Sequence, residues 1–366
     1  MELVKLGLKD INQKEFFYVE NKKFRETKEL LNETIEENNL DSLSFALRGM
    51  FSREIWANNH IEGLNDSLLT IEGVINDNYI ADDSVKSRII NLYNAYKYIL
   101  EHDHIDKESL RELYEIISKD QLDEDSIKNM GDYYREKDVF ILRGGRLDAS
   151  YDNGLTPSKI DEYMKRYFDF LNGYEANSKI DEYIKSQILH YYFVYIHPYF
   201  DVNGRTARTV AIWYLLNKKA YPYTIFNRAI SLNQTGYDKK IAIASRSNNL
   251  SLFLNTMLEK VLQEMQKEYV MDRINLAVGE TLSNVDYEIL LYYLSIRSEK
   301  NLKNFVDYFN KQTGQKLKPS VVLKRYLIPL AKKGVFRIYK YGSNENLRIE
   351  LKDLDLDYNK VNKLKI

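Results

Sequence analysis

The sequence predicts a mostly helical protein with one internal β-hairpin and a separate, basic C-terminal module. Three observations predict it. Apolar and aromatic residues recur at helical spacing over most of the 366 residues. Between Met130 and Pro157 that period is lost, and Tyr134-Arg135, Val139-Phe140-Ile141-Leu142 and Gly144-Gly145 read as a hairpin with a glycine turn. From Asp286 to Glu350, thirteen Lys or Arg stand against six Asp or Glu, a net of +7, although the whole chain has 53 Lys and Arg against 54 Asp and Glu.

Composition narrows the class. Hydrophobic content of 44% and charged content of 29% are those of a soluble globular protein, and the length allows two domains. The absence of cysteine excludes disulfides and thiolate metal sites. No apolar run reaches membrane-spanning length, and Met1-Glu2-Leu3-Val4-Lys5 leads straight into charged sequence. A cytoplasmic location without membrane contact is expected. The balanced total charge gives the chain as a whole no pull toward nucleic acid.

The elements follow in order. Residues 1–22 show no clear period beyond a short strand at 15–19. Residues 23–38 form a surface helix. Asp41 caps a longer helix, with Leu43, Ala46, Leu47, Met50 and Phe51 on one face, which runs through Trp56 to Ile61 and stops at Gly63. Asp83 or Ser84 opens the next, and Asp106-Lys107-Glu108-Ser109 another through Ile117. Pro157 at the first helical position starts a helix to Phe170. Residues 183–196 and 209–216 are apolar core helices. Pro222, then Asn233, Gly236 and Tyr237, mark loops and a helix start. Residues 251–269 are amphipathic and close this part of the chain.

Farther on, helices are expected over 286–296, 302–312 and 319–331, the third kinked at Pro329. Residues 335–339, a Gly342-Ser343-Asn344 turn and residues 347–349 add two strands. Three helices and a hairpin suggest a winged-helix-like domain. Lys318, Lys324, Arg325, Lys332 and Lys333 on its third helix suit DNA phosphates, or equally a protein-docking face.

The chemistry concentrates between two core helices, in His197-Pro198-Tyr199-Phe200-Asp201-Val202-Asn203-Gly204-Arg205-Thr206-Ala207-Arg208. Pro198 helps end the preceding helix. Asn203-Gly204 is turn chemistry feeding a helix N-terminus, whose N–H groups and dipole attract anions. Arg205 and Arg208 lie three apart, on one face, and guanidiniums match phosphate oxygens two at a time. Asp201 beside phosphates requires an intervening cation, for which Mg²⁺ is suited. His197 can take a proton near neutral pH. The stretch reads as a nucleotide-phosphate site with a metal and a base, or, on chemistry alone, as a capped helix start with surface charges.

This run resembles the signature of the Fic family of AMP transferases, His-Pro-Phe-x-Asp/Glu-Gly-Asn-Gly-Arg-x-x-Arg. His197, Pro198, Asp201, Asn203, Gly204, Arg205 and Arg208 match. Tyr199 replaces Phe, a mild change. Val202 replaces glycine, and a β-branched residue there is expected to resist positive φ and disturb the anion nest. Asn58-Asn59-His60-Ile61-Glu62-Gly63 resembles the family's inhibitory motif, with Asn58 in place of Ser or Thr.

The resemblance covers about residues 40–265. It implies an inhibitory helix and a catalytic domain with a hairpin flap that holds a target segment; the expected division is N-terminal helices including the inhibitory one (1–82), the catalytic domain (83–270), the winged-helix-like domain (284–350) and a tail (351–366). It implies AMP transfer from ATP to a protein hydroxyl. His197 is then the base and Asp201 the Mg²⁺ ligand. Asn203, Gly204, Arg205 and Arg208 hold phosphates, Tyr237 stands near the base of the nucleotide, and Glu62 denies Arg208 to the γ-phosphate. Removal of AMP at the same site, another nucleotide donor, and a catalytically weak DNA-binding regulator stay open. The target protein is not specified, and a homo-oligomer is compatible.

Overall fold

The computed structural model describes residues 2–47, 49–78, 82–143, 150–232, 234–279, 282–296, 298–340 and 347–352. The backbone is mostly helical, as its sequence predicts. The expected turns at Gly144-Gly145 and Gly342-Ser343-Asn344, the loop residue Asn233 and almost all of the tail lie outside the described residues.

The chain divides into two compact units, one of residues 1–63 and 73–262, the other of residues 64–72 and 263–366. The first unit opens with strands β1 (Glu2–Lys9) and β2 (Glu15–Glu20), antiparallel with Leu3 opposite Val19 and Lys5 opposite Phe17. The sequence reading missed β1. Its Leu6 and Leu8 point to the core, but Gly7 between them has φ 69°, where the pairing register shifts. That bulge breaks the alternation by which a strand is recognised.

Helix α1 (Lys22–Glu37) is capped by the Asn21 side chain. The single long helix expected over 41–63 is instead three pieces: α2 (Leu43–Leu47), a π-helical turn (Met50–Glu54) and α3 (Ile55–Ile61). Gly49, at φ 76°, interrupts it, and a Cβ there would stand 2.6 Å from the Arg53 side chain. Asp41 is not the cap, since the Ser42 hydroxyl accepts from Phe45 N–H while Asp41 pairs with Lys179. Every residue of α3 is buried.

After α4 (Leu68–Ile75) come α5 (Asp83–Glu101) and α6 (Lys107–Ser118), the latter opened by an Asp106/Ser109 capping box. Short α7 (Glu124–Lys128) precedes the hairpin of β3 (Phe140–Arg143) and β4 (Ser150–Asn153). The hairpin is shorter than expected, because Tyr134-Arg135 turns into the core instead of pairing along it. Helix α8 (Pro157–Gly173) starts with proline at its N-terminus, as expected.

Helices α9 (Lys179–Ile196) and α10 (Asn203–Asn217) are buried nearly all round and pack on each other. A 3₁₀ turn at Pro222, α11 (Phe226–Ser231), α12 (Gln234–Ser247) and the first part of α13 (Ser251–Val278) complete the unit.

The second unit contains α14 (Asn284–Ser295), α15 (Leu302–Thr313), α16 (Pro319–Val322), a π turn, α17 (Ile328–Lys332), and the antiparallel β5 (Phe336–Lys340) and β6 (Leu347–Leu351). The irregularity expected at Pro329 is a π turn at residues 323–327, just before it. Proline lacks the N–H that would extend the ladder, and a widened turn absorbs the loss. No helix among the described residues is long and apolar enough to cross a membrane.

Candidate active site

Helix α9 stops because His197 takes the left-handed conformation, φ 53° and ψ 61°. Tyr199 then buries its ring against Tyr114, centroids 3.6 Å apart and nearly parallel. Its hydroxyl finds no hydrogen-bond partner among the described residues, so the side chain anchors the turn through its ring. Asn203 closes the loop from inside. Its Oδ1 accepts from Tyr199 N–H at 3.0 Å and its Nδ2 donates to the Tyr199 carbonyl at 2.8 Å. Asp201 is exposed, and its Oδ1 accepts from Val202 N–H at 2.6 Å.

Val202 corrects the expectation placed on it. It adopts φ 53° and ψ 15°, as glycine would, and caps α10. Left-handed backbone costs a β-branched residue about 1–2 kcal/mol. Offsetting this, Val202 is buried and its carbonyl accepts from both the N–H and the hydroxyl of Thr206, each at 2.9 Å. The Thr206 bond is the first of α10, so the N–H groups of residues 203–205 precede the helical ladder and form its anion-attracting end.

The two arginines differ. Arg205 is 8% exposed, and its Nε and one terminal nitrogen are buried without a hydrogen-bond partner among the described residues. Burial lowers its pKa, while Glu62 and Asp201 act in the opposite direction. Arg208, 2% exposed, is fully engaged. Its Nε donates to Asn58 Oδ1 at 2.9 Å, and a terminal nitrogen donates to Glu62 Oε1 at 2.5 Å. The Asn58 amide in turn donates to the Tyr96 hydroxyl at 3.3 Å.

Glu62 is the C-terminal cap residue of α3 and its side chain is 38% exposed. Partial burial pushes its carboxyl up, but Arg208 foremost, then Arg205 and His197, hold it below the usual range. Gly204 is what lets it approach. A Cβ at Gly204 would lie 2.7 Å from Glu62 Oε1 and 3.1 Å from an Arg208 nitrogen. The site thus brings Glu62, Asn58, Gly204, Arg205 and Arg208 together from segments some 150 residues apart in sequence.

Tyr237 lies beside Arg208. It is buried, hydrogen-bonds Arg208, and shares its hydroxyl with His190 Nε2 at 2.8 Å. Its ring lies parallel to His190, 5.8 Å away. His190 was not singled out in sequence. Burial, with the Arg208 charge adding to it, lowers its pKa to about 3, so it is neutral at ordinary pH. Asp238 was also missed. Burial first and the Glu62 charge second raise its pKa to about 6, and Arg208 opposes them.

For a metal, the donor set is sparse. No cluster of three His, Asp or Glu that could hold an ion occurs among the described residues. One exposed carboxylate, Asp201, suits a cation that takes its remaining ligands from water and phosphate, as Mg²⁺ does.

A sequence model of the Fic/DOC family matches residues 104–215. A Fido domain-containing protein of Dictyostelium discoideum is 32% identical over 113 residues, covering 31% of this chain and 71% of that protein. Among solved structures, a Fic family protein from Desulfovibrio desulfuricans superposes with a TM-score of 0.59 at 18% identity, covering 92% of this chain and 98% of the other. Fic-1 from C. elegans gives a TM-score of 0.51 at 18% identity, covering 67% of this chain and 71% of the other. At that identity the structures speak for the fold. The sequence matches speak for kinship: the chain belongs to the Fic/DOC family.

Proposed function

We propose that this protein transfers AMP from ATP to a Ser, Thr or Tyr hydroxyl of a protein, itself included, and that Glu62 restrains the transfer. One observation carries this reading. At the N-terminal end of α10 one buried guanidinium, Arg208, already holds a carboxylate, while its neighbour Arg205 has two buried nitrogens without a partner among the described residues. Such a corner fits a polyphosphate competing with an internal anion.

The target hydroxyl oxygen bonds to the α-phosphorus, the bond to the pyrophosphate oxygen breaks, and the hydroxyl proton passes to the His197 imidazole. The N–H groups of Asn203 and Gly204 face the α-phosphate; the Asn203 amide is committed to Tyr199 and holds the turn. Arg205 and Arg208 take the β- and γ-phosphates. Asp201 holds Mg²⁺, which when bound neutralises phosphate charge. The β3–β4 hairpin receives the target segment by strand addition.

His197→Ala tests the reading. In a Glu62→Gly background, labelling from α-labelled ATP is expected to fall about a hundred- to ten-thousand-fold, with Mg·ATP affinity retained. Transfer within about tenfold of the parent overturns His197 as the base.

A second reading concerns the C-terminal unit. Lys311, Lys316, Lys318, Lys324, Arg325 and Lys332 are exposed on one basic segment, while Lys333 is tied to Asp286 at 2.8 Å. We propose duplex DNA as a partner for this segment, with a protein-docking role as the alternative. Binding by the full chain is expected to weaken steeply with salt. The absence of any salt-dependent shift at low ionic strength favours a protein-docking role instead.

A further inference from the structure

Outside the phosphate-facing groups, the most constrained side chain near the catalytic turn is Arg135. It is 1% exposed, and its side chain hydrogen-bonds to three backbone carbonyls. Its Nε donates to the His197 carbonyl at 2.9 Å. Its two terminal nitrogens donate to the carbonyls of Lys137 and Leu155, both at 2.6 Å. Its own N–H donates to the Pro198 carbonyl at 3.0 Å. Lys137 lies just before β3 and Leu155 just after β4, so one guanidinium bridges both feet of the hairpin and the residue expected to act as base. Gly154 makes room for it: a Cβ there would stand 2.8 Å from Val139 Cγ2 and 3.0 Å from an Arg135 nitrogen.

We propose that Arg135 is a positioning residue that fixes the left-handed backbone of His197 and locks it in register with the hairpin. His197 sits at φ 53°, a conformation that a non-glycine residue keeps only when its surroundings over-determine it. The guanidinium supplies that restraint through a charge-assisted bond to the His197 carbonyl. The same cation holds the hairpin's feet. A hydroxyl presented on the hairpin and the imidazole that takes its proton are thereby set in one frame, which is what an in-line transfer requires. Lysine cannot replace it, because one ammonium on a flexible stem does not span three diverging carbonyls.

The inference rests on His197 being the base, and the test separates the two. The parent is Glu62→Gly, compared with Arg135→Lys, Gly154→Ala and His197→Ala, reading kcat, KM for ATP and Mg·ATP affinity. Arg135→Lys is expected to lower kcat at least about tenfold with ATP affinity within about twofold, since misalignment of reacting groups falls on the chemical step. Gly154→Ala, which presses on the same guanidinium from the hairpin side, is expected to lower kcat in the same sense by a smaller factor. A kcat of Arg135→Lys within twofold of the parent, or kcat and ATP affinity falling together, overturns the proposal. If Arg135→Lys loses kcat while His197→Ala does not, the base assignment is wrong and Arg135 acts on the hairpin alone, which also overturns it.

Discussion

Arg205 and Arg208 stand three residues apart on α10 and are almost equally buried, at 8% and 2% exposure, yet their surroundings are opposite. Arg208 is held by Asn58, Glu62 and Tyr237. Arg205 carries two buried nitrogens with no partner among the described residues. A buried cation without partners destabilises a fold, and one with partners on every side does not. On the proposed function, Arg205 awaits a ligand that arrives later, and Arg208 is contested between an internal carboxylate and that ligand.

The sharpest way to break the contrast is to remove each cation in turn and melt the protein with and without Mg·ATP. Arg208→Met is expected to lower stability by about 2 kcal/mol without nucleotide, a figure discounted because Glu62 is partly exposed. Arg205→Met is expected to leave stability unchanged or raise it by about 1 kcal/mol, and to abolish most of the stabilisation that nucleotide brings. Equal destabilisation by the two substitutions ends the contrast.

A smaller effect tests the turn that carries both arginines. Val202→Gly relieves left-handed strain of about 1–2 kcal/mol but gives up a buried isopropyl group worth about 1.5 kcal/mol, so the terms nearly cancel. Stability and transfer rate are both expected to change little, by less than about threefold in rate. A tenfold acceleration would show that Val202 distorts the anion site after all.

What the sequence revealed follows from how local each feature is. His197, Asp201, Gly204 and Arg205 are legible because one turn and the start of one helix bring them together, and adjacency in sequence is adjacency in space. The Glu62 contact was legible only as a pattern at the end of a helix. Its partner is 146 residues away, and nothing in the periodicity of either segment pairs them. Arg135 was invisible as a functional residue because its acceptors are backbone carbonyls, which carry no residue code. Tyr237 was singled out by the resemblance alone, and its contact with His190 on α9 joins segments 47 residues apart in sequence. The break at Gly49 was hidden by an apolar pattern that runs on through it into the π turn and α3.

On the proposed function, competition between Glu62 and a nucleotide for Arg208 sets the rate of transfer. It is tested most directly by labelling from α-labelled ATP with the wild-type protein, Glu62→Gly, Arg208→Ala and the double variant. Removing Glu62 is expected to raise labelling by at least about an order of magnitude, a typical coupling between competing ligands. Arg208→Ala is expected to cancel that gain, because without the guanidinium nothing is released. Equal labelling by wild type and Glu62→Gly, or a double variant that keeps the full gain, would contradict the account.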